Sequence, residues 1–486
     1  MFIRSPREAE PNPVPQAAPG ERPSDAMETS FPPPDPSTKE LHCEVMALAW
    51  PSVLAMLLQT VNSLMDAFFV GNLPNGRQAL AATGIGGIVV FLLISIAMGV
   101  TIGTTALVAR FTGSGEHEKA VEATGQSVTL GVLLALVFGS IAYVGRGAIA
   151  SALLGAPGAS EAARLCAQFL AAVLPAAVAL FLVNVLQASF RGLGDTRTPM
   201  RITLAMIATH ISLNSVLIYG RWGFPRMGVR GAGTALAASL FVGAILYLFA
   251  VKRRQELSEA LTWLHLQPRA DWAWRILRIG LPAALQAVLR TLALLSFQGM
   301  LVKAVEGEAG VAALQIGLRA EAIAYMPGFG YSIAASALVG QNLGAKNPGR
   351  AERTAWAATW QAVGVMIFMA ILFYVFATPF SRLFTQDVLV QRLGADYLRV
   401  NAYCEPFLAL GMVLTGALQG AGDTTRPTVI TFLTMWVLRL PLAFLVMFSL
   451  GYQTHGAWIS MGVSTSIGGL MTVWLFRTGK WKRIKV

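Results

Sequence analysis

Asp66 places a carboxylate near the end of a long apolar stretch, residues 44–70. Gln59 and Asn62 precede it at spacings of seven and four residues, which puts the three polar side chains on one face of a helix. An ionisable side chain inside an apolar segment is costly and is a functional candidate by default. A carboxylate there can bind a proton or a small cation. The alternative is a structural aspartate bonded to backbone or asparagine groups.

His210 and Asn214, in the sequence HISLN, form a second polar pair inside the apolar stretch 198–220. Their spacing of four residues also places them on one helix face. Histidine changes charge near neutral pH, so His210 is a candidate to share or relay a proton with Asp66. A hydrogen-bonded core histidine is the alternative. The predicted ion-coupling group is therefore Asp66, His210 and Asn214.

Other polar side chains inside apolar stretches are candidates for lining a substrate cavity. Gln286 and Arg290 share one helix face, and Glu405 lies in a separate stretch, where a buried ion pair with Arg290 is one alternative. The predicted cavity residues are Gln59, Asn62, Asn184, Gln187, Gln286, Arg290 and Glu405.

The composition of the 486-residue chain predicts that the elements holding these side chains lie in a membrane. The chain is 55% hydrophobic and 13% charged, with a mean hydropathy of +0.58, whereas soluble domains carry about 25% charged residues. The net charge of +12 lies in short stretches between apolar segments. No basic stripe with interleaved aromatic residues is present, so nucleic-acid binding is not predicted. Three scattered cysteines and five scattered histidines predict neither a metal site nor a catalytic site.

Twelve apolar segments are long enough to cross a bilayer as helices. Their continuous apolar runs exclude a β-barrel, whose strands alternate over about ten residues. Basic residues favour the connections on the N-terminal side by about two to one, although the loop from Arg221 to Arg230 opposes this bias. We predict an inner-membrane protein with both termini in the cytoplasm. The predicted spans are residues 44–70, 80–110, 121–146, 162–190, 198–220, 228–252, 274–304, 309–341, 352–378, 392–419, 426–450 and 454–476.

The chain repeats itself at a nearly constant offset, which is slightly shorter toward the end of each repeat. Each half has an even number of spans, so the halves enter the membrane from the same side as parallel repeats. The predicted domains are a disordered Pro-rich cytoplasmic tail (1–41), an N-lobe (42–252), a cytoplasmic linker (253–273) and a C-lobe (274–486). The matching positions include Pro51 with Pro282, Gly99 with Gly330, Gly113 with Gly344 and, at the shorter offset, Asp195 with Asp423.

The polar cluster of the first half has no copy in the second half. At these offsets Asp66 corresponds to Phe297, while His210 and Asn214 correspond to Leu438 and Leu442. Because both halves share one scaffold, polar residues that only the first half carries are not needed to build that scaffold. We therefore expect ion coupling in the N-lobe.

Two nearly identical turns, GLGDTRTP at 192–199 and GAGDTTRP at 420–427, join the fourth and fifth spans of their halves. Glycine permits a tight turn, aspartate can accept hydrogen bonds from nearby amides, and proline suits the first turn of the next helix. We interpret the motifs as structural turns. A contact that gates the cytoplasmic side is the alternative.

Taken together, these features resemble the multidrug and toxic compound extrusion (MATE) family over residues 42–483. The resemblance rests on the two turns, GQNLGA at 340–345, RLPLA at 439–443, FRTGKWKR at 476–483, and a first span with Pro51, Gln59, Thr60, Asp66 and Gly71. It implies an all-α fold of twelve transmembrane helices in two lobes that form a V. It also implies export of amphiphilic, often cationic, compounds in exchange for H⁺ or Na⁺.

The resemblance also assigns expected roles to particular positions. An aspartate at the place of Asp66 is the central cation or proton site of the N-lobe in this family. His210 departs from the family pattern, and Asn214 in place of an acid leaves one carboxylate fewer for Na⁺, so we favour H⁺. Arg290 has the opposite charge to the acid of some sodium-linked members, and Leu408 replaces a second acid. Arg319, Glu321 and Arg439 match common family features and are interpreted as structural.

The expected partners are small amphiphilic, cationic organic compounds and membrane lipid, and the chain is expected to be a monomer without a cofactor other than its coupling ion. No GxxxxGK[ST] motif is present, so a nucleotide-driven pump is not predicted. A membrane enzyme would need acids, histidines or cysteines clustered at one pocket. The alternative function is a lipid-linked saccharide flippase of the same broad superfamily, which would need a strongly cationic cavity.

Overall fold

The computed structural model of the protein describes residues 37–155, 160–254 and 256–484. Most of the predicted Pro-rich tail therefore lies outside the described residues. Its last residues are described, and they belong to the first helix, which begins at Thr38. The first span thus extends further toward the N-terminus than the predicted start at residue 44.

The first half consists of six membrane crossings in the predicted order. The fourth crossing is a pair of helices joined by a 3₁₀ turn at Leu174–Ala176, where Pro175 has no N–H to donate to a regular helix. The helices are α1 Thr38–Gly71, α2 Gly76–Ser114, α3 His117–Leu154, α4 Glu161–Val173, α5 Ala177–Gly192, α6 Arg197–Tyr219 and α7 Val229–Arg253.

The second half follows a connection that contains one short helix. Its eleventh crossing, Thr425–Ser449, includes two π-helical segments that flank Pro441. The helices are α8 Trp263–Leu266, α9 Ala270–Leu301, α10 Gly307–Gly344, α11 Pro348–Val375, α12 Ala377–Phe384, α13 Val388–Ala402, α14 Glu405–Gly420, α15 Thr425–Phe432, α16 Leu440–Phe444 and α17 Gln453–Arg477.

Eleven helices among the described residues are long and apolar enough to cross a membrane. The predicted tenth span, 392–419, is not one of them because it is broken between α13 and α14. Pro406 occupies the second position of α14, where its missing N–H costs nothing. The predicted tenth span is therefore built from two helices, which together form the tenth of the twelve crossings.

Because successive crossings alternate in direction, the turns Gly192–Thr196 and Gly420–Thr424 lie at the same end of the helix bundle as the start of α1. We call this the turn end. It is the end that the basic connections predict to be cytoplasmic.

Buried apolar side chains form separate clusters that largely follow the two halves. One cluster draws on residues between 70 and 279, and the others draw mainly on residues between 297 and 481. The starts of α1 and α9 are exchanged: Val45 and Ala49 of α1 pack in a second-half cluster, whereas Trp272 and Ile276 of α9 pack in the first-half cluster. Each half therefore contributes one helix end to the core of the other.

Helices α2 and α10 cross in backbone contact at the turn end. A Cβ atom on Gly113 would overlap the carbonyl oxygen of Gln341, and one on Gly344 would overlap the carbonyl oxygen of Arg110. The two contacts are one contact repeated, since the offset of the internal repeat relates Gly113 to Gly344 and Arg110 to Gln341. Small residues allow helices to approach this closely. The crossing closes the turn end along the axis that relates the halves.

Candidate functional site

Four of the predicted polar residues of the first half form one hydrogen-bonded cluster between α1 and α6. The two helices run in the same direction, so a spacing of four residues on one matches a spacing of four on the other. His210 Nδ1 lies 3.1 Å from Asn62 Oδ1, and the Asn214 amide donates to Asp66 Oδ1. His210 Nε2 lies 3.5 Å from the same Asp66 oxygen. The predicted ion-coupling group is thus assembled in space.

Burial within the cluster is uneven. His210 is 3% exposed and Asn214 is fully buried, whereas the Asp66 side chain retains 38% of its accessible surface. Asn62 is also buried. The carboxylate is therefore the most exposed member of the cluster, and the Asn214 amide and the His210 imidazole contact it from the buried side.

The hydrogen bonds restrict where a proton can reside. If His210 Nδ1–H donates to Asn62 Oδ1, the lone pair of Nε2 points toward Asp66. No Lys or Arg pairs with Asp66 among the described residues. An uncompensated carboxylate in an apolar span favours uptake of a proton or another cation. The pair can thus hold a proton on Asp66 or share it with His210.

Asn214 adds one acceptor to the site. Its Oδ1 atom is buried and has no hydrogen-bond partner in the described part of the chain. A buried acceptor without a partner is costly, and this oxygen lies on the side chain that already contacts Asp66. The cluster therefore offers one carboxylate and one free amide oxygen.

The other candidates of the first half stand apart from this cluster. Gln59 is on the same face of α1 but is exposed and makes no side-chain hydrogen bond in the described residues. Asn184 donates 2.8 Å to the Leu180 carbonyl of its own helix. Gln187 is half-buried. The structure does not join these three residues into one site.

The second-half candidates lie in different surroundings. Gln286 is 5% exposed and donates to Thr431 Oγ1 at 2.8 Å, which ties α9 to α15. Arg290 is exposed and donates to the Tyr325 hydroxyl at 3.3 Å. Glu405 is 2% exposed, and its Oε2 atom has no partner within the described ranges. Arg290 and Glu405 form no ion pair in the described residues: Arg290 contacts Tyr325, and the Glu405 Oε2 atom has no partner.

A buried polar group in the second half was not predicted as a site. Tyr397 of α13 donates to Glu321 of α10 at 2.6 Å. Arg439 is buried and donates to Ser464 at 2.7 Å and Thr465 at 2.9 Å. The presence of an acid inside an apolar span is the signal that would have identified Glu321 as a candidate. Its partner Tyr397 lies on a distant helix, and no sequence pattern connects the two residues.

The first repeated turn contacts the opposite half. Gln341 of α10 donates 2.8 Å to the carbonyl oxygen of Gly192, next to the crossing of α2 and α10. Asp195 accepts from the Thr198 amide and from Arg254 at 2.9 and 2.7 Å. Asp195 thus stabilises the turn locally, as the structural interpretation predicts, and Gly192 also contacts α10 of the second half.

The fold and the site together define a class of protein. Parallel six-span halves that meet at a common axis, with a polar cluster between helices in only one half, are the architecture of a membrane transporter. The chain belongs to the MatE family, whose sequence profile matches residues 51–216 and 282–445. The two matched ranges begin at Pro51 and Pro282, the first pair of corresponding positions in the internal repeat.

Individual relatives agree with this assignment over nearly the full chain. The probable multidrug resistance protein NorM of Thermotoga maritima is 28% identical over 454 residues, covering 93% of this chain and 95% of the relative. The uncharacterized transporter YisQ of Bacillus subtilis is 24% identical over 441 residues, covering 90% of this chain and 94% of that relative.

Solved structures confirm the fold class. A crystal structure of MATE in complex with MaL6 superposes with a TM-score of 0.83 at 23% identity, covering 91% of this chain and 98% of the other. A MATE family multidrug resistance transporter in an outward-facing conformation gives a TM-score of 0.82 at 23% identity, over 91% and 97% of the two chains. The expected multi-pass, all-helical fold in two lobes is confirmed.

Proposed function

We propose that this chain exports small amphiphilic, cationic organic compounds from the cytoplasm across the inner membrane in exchange for protons. The observation that carries the proposal is the cluster of Asp66, Asn62, His210 and Asn214, present in only one half of a repeated scaffold. Family membership and the names of multidrug resistance relatives support the substrate class.

The ligand set favours a proton over Na⁺. A hard cation prefers several oxygen ligands, and the cluster offers one carboxylate and one unpartnered amide oxygen. The third group facing Asp66 is a histidine nitrogen, which suits a proton better than Na⁺.

The transport cycle follows from competition for one carboxylate. A deprotonated Asp66 attracts a cationic substrate, and a proton that arrives from the other side of the membrane removes this attraction. Linkage requires that proton and substrate oppose each other's binding. With both termini in the cytoplasm, the turn end is the cytoplasmic end, and its closure by α2 and α10 corresponds to the state that releases substrate outside.

The proposal is tested by ethidium efflux from cells under an imposed pH gradient or Na⁺ gradient, with wild type compared to Asp66→Asn. We expect a pH gradient alone to drive efflux and Asp66→Asn to reduce it to the level of cells without the transporter. Asp271→Asn is the matched control, because Asp271 is an exposed aspartate at the start of α9.

The other outcomes point to different mechanisms. Efflux driven only by Na⁺ would overturn proton coupling. Full activity of Asp66→Asn would make Asp66 structural and direct attention to Glu405. Failure of the wild type to move ethidium or norfloxacin, at normal expression, would argue for the flippase alternative and for lipid-linked substrates.

A further inference from the structure

An exposed groove at the turn end has a composition that ion coupling does not explain. Two adjoining depressions of about 500 and 420 Å³ share Thr198, Arg201 and Arg254 along their walls. The first also contains Arg197 and the turn at Gly194–Thr196, and the second contains Arg253. Together they form the turn-end groove, which runs between the start of α6 and the end of α7.

The cations of the groove exceed its anions. Arg254 is occupied, since it pairs with Asp195 at 2.7 Å and Glu256 at 2.9 Å. Arg197, Arg201 and Arg253 are exposed and pair with no carboxylate in the described ranges. Three unneutralised guanidinium groups therefore face one groove.

Helix stability does not account for two of these arginines. Arg197 begins α6, and Arg201 lies one turn further along. Cations near a helix N-terminus oppose the helix dipole and are unfavourable. The corresponding residues of the second half are Thr425 and Val429, and Arg426, which begins that helix beside Thr425, is paired with Asp423 at 3.0 Å.

The floor of the groove is apolar and lies at the depth of the lipid boundary. Ile202, Leu246 and Phe249 line the second depression, and the Phe249 ring is 60% exposed. Arg201 and Phe249 are each four residues from the ends of their helices at the turn end, as is the exposed Trp274 of α9. Because every helical residue adds the same rise, the three lie at similar depth, and exposed tryptophans mark the membrane interface.

We propose that the turn-end groove binds a phospholipid with an anionic headgroup, such as phosphatidylglycerol. The phosphate lies between Arg197, Arg201 and Arg253, and an acyl chain covers Leu246 and Phe249. Basic pockets between transmembrane helices recognise anionic lipid in this way. The site adjoins the turn that begins at Gly192, which contacts α10. A bound lipid would therefore hold this turn and the start of α6 in place.

The inference is tested by native mass spectrometry of the purified, delipidated full chain titrated with phosphatidylglycerol or phosphatidylcholine. We expect wild type to bind phosphatidylglycerol in preference to phosphatidylcholine, and Arg197→Gln with Arg201→Gln to weaken this binding about 30-fold, because each arginine near a membrane surface contributes a roughly fivefold effect. The matched control is Arg275→Gln with Arg278→Gln, two exposed arginines at the start of α9 outside the groove.

Further variants and a second ligand separate the role of charge and of the acyl chain from misfolding. Arg197→Lys with Arg201→Lys should retain most of the binding, which separates charge from misfolding. Glycerophosphoglycerol, the soluble headgroup, should bind much more weakly than the lipid. Phe249→Ala should weaken binding of the lipid and leave binding of the soluble headgroup unchanged. Equal binding of both lipids, equal loss in both double glutamine variants, or full binding of the soluble headgroup would overturn the proposal. Transport is not measured, so the result is independent of the proposed antiport.

Discussion

Among the residues of the cluster, Asn214 makes the shortest contact with the Asp66 carboxylate. It donates to the carboxylate, and its own carbonyl oxygen has no partner in the described residues. A hydrogen bond to an ionised group stabilises the charge by about 1.5–3 kcal/mol. The amide therefore stabilises the ionised form of Asp66, which the proposed proton-coupled cycle must pass through.

We predict that Asn214→Leu moves the pH midpoint of transport upward by about one to two pH units, because the ionised carboxylate loses a stabilising donor. Leucine occupies the corresponding position 442 of the second half. The measurement is initial efflux rate against pH. Asn184→Leu is the control, since that amide bonds only to its own helix. An unchanged midpoint in Asn214→Leu would show that the amide does not act on Asp66.

The residues of the site could be predicted from sequence only where helix periodicity applies without interruption. Asn62 with Asp66, and His210 with Asn214, lie on regular helices, so their spacing gave the correct faces. The break after Ala402 changes the helical phase, so no face could be extrapolated from the start of the tenth span to Glu405. The contact of Tyr397 with Glu321 joins distant helices and left no pattern in the sequence.

At the scale of elements, the crossing of α2 and α10 decides whether the turn end is closed. Ala109 is fully buried beneath Gly340, its own counterpart in the repeat. The crossing has no room for a methyl group at Gly113, because the Gln341 carbonyl occupies that space. Opening of this end must separate the two helices.

We predict that Gly113→Ala opens the turn end, because overpacking at such a contact costs about 1–3 kcal/mol. The measurement is the rate at which a water-soluble maleimide labels Ala109→Cys in a Cys43→Ser background. We expect a rise of about tenfold, as this energy implies. Gly84→Ala is the control on the same helix, since a Cβ there meets nothing within 4 Å. Equal labelling of the two variants would contradict the role of the crossing.

The predicted helix boundaries agree with the structure where charged or glycine-rich connections separate the apolar segments. Basic and glycine-rich connections marked most ends within a few residues. The sequence did not predict the irregular helix geometry inside the tenth and eleventh crossings. Proline at Pro406 and Pro441 lacks an N–H and alters the helix locally, but it leaves the hydropathy of the apolar run unchanged.

At the scale of the whole molecule, the transporter is a symmetric scaffold with asymmetric functional groups. Gly113 with Gln341 and Gly344 with Arg110 repeat one contact, whereas Asp66 corresponds to Phe297. The symmetric contacts provide the closure, and the single polar cluster provides the proposed coupling. In the proposed mechanism, a proton bound at Asp66 acts on the second half through α1, which packs against α10, as well as through the shared end.

We predict that substrate and proton compete in the purified protein. The affinity for ethidium should fall about tenfold per pH unit below the midpoint, because one proton displaces one cation at the same carboxylate. Fluorescence titration across pH measures this dependence. Asp66→Asn should show weak binding that does not change with pH. A pH-independent affinity in wild type would place the substrate away from the proton site.

The exchange of the starts of α1 and α9 bears on biosynthesis. Val45 and Ala49 are buried against residues that the ribosome makes much later, including Tyr331 and Leu338 of the second half. The first half therefore leaves the ribosome with one helix end lacking its final partner, and it cannot reach its mature packing alone. Assembly of this chain must end with a late docking step in which both halves complete each other, as the two subunits of an intertwined dimer would.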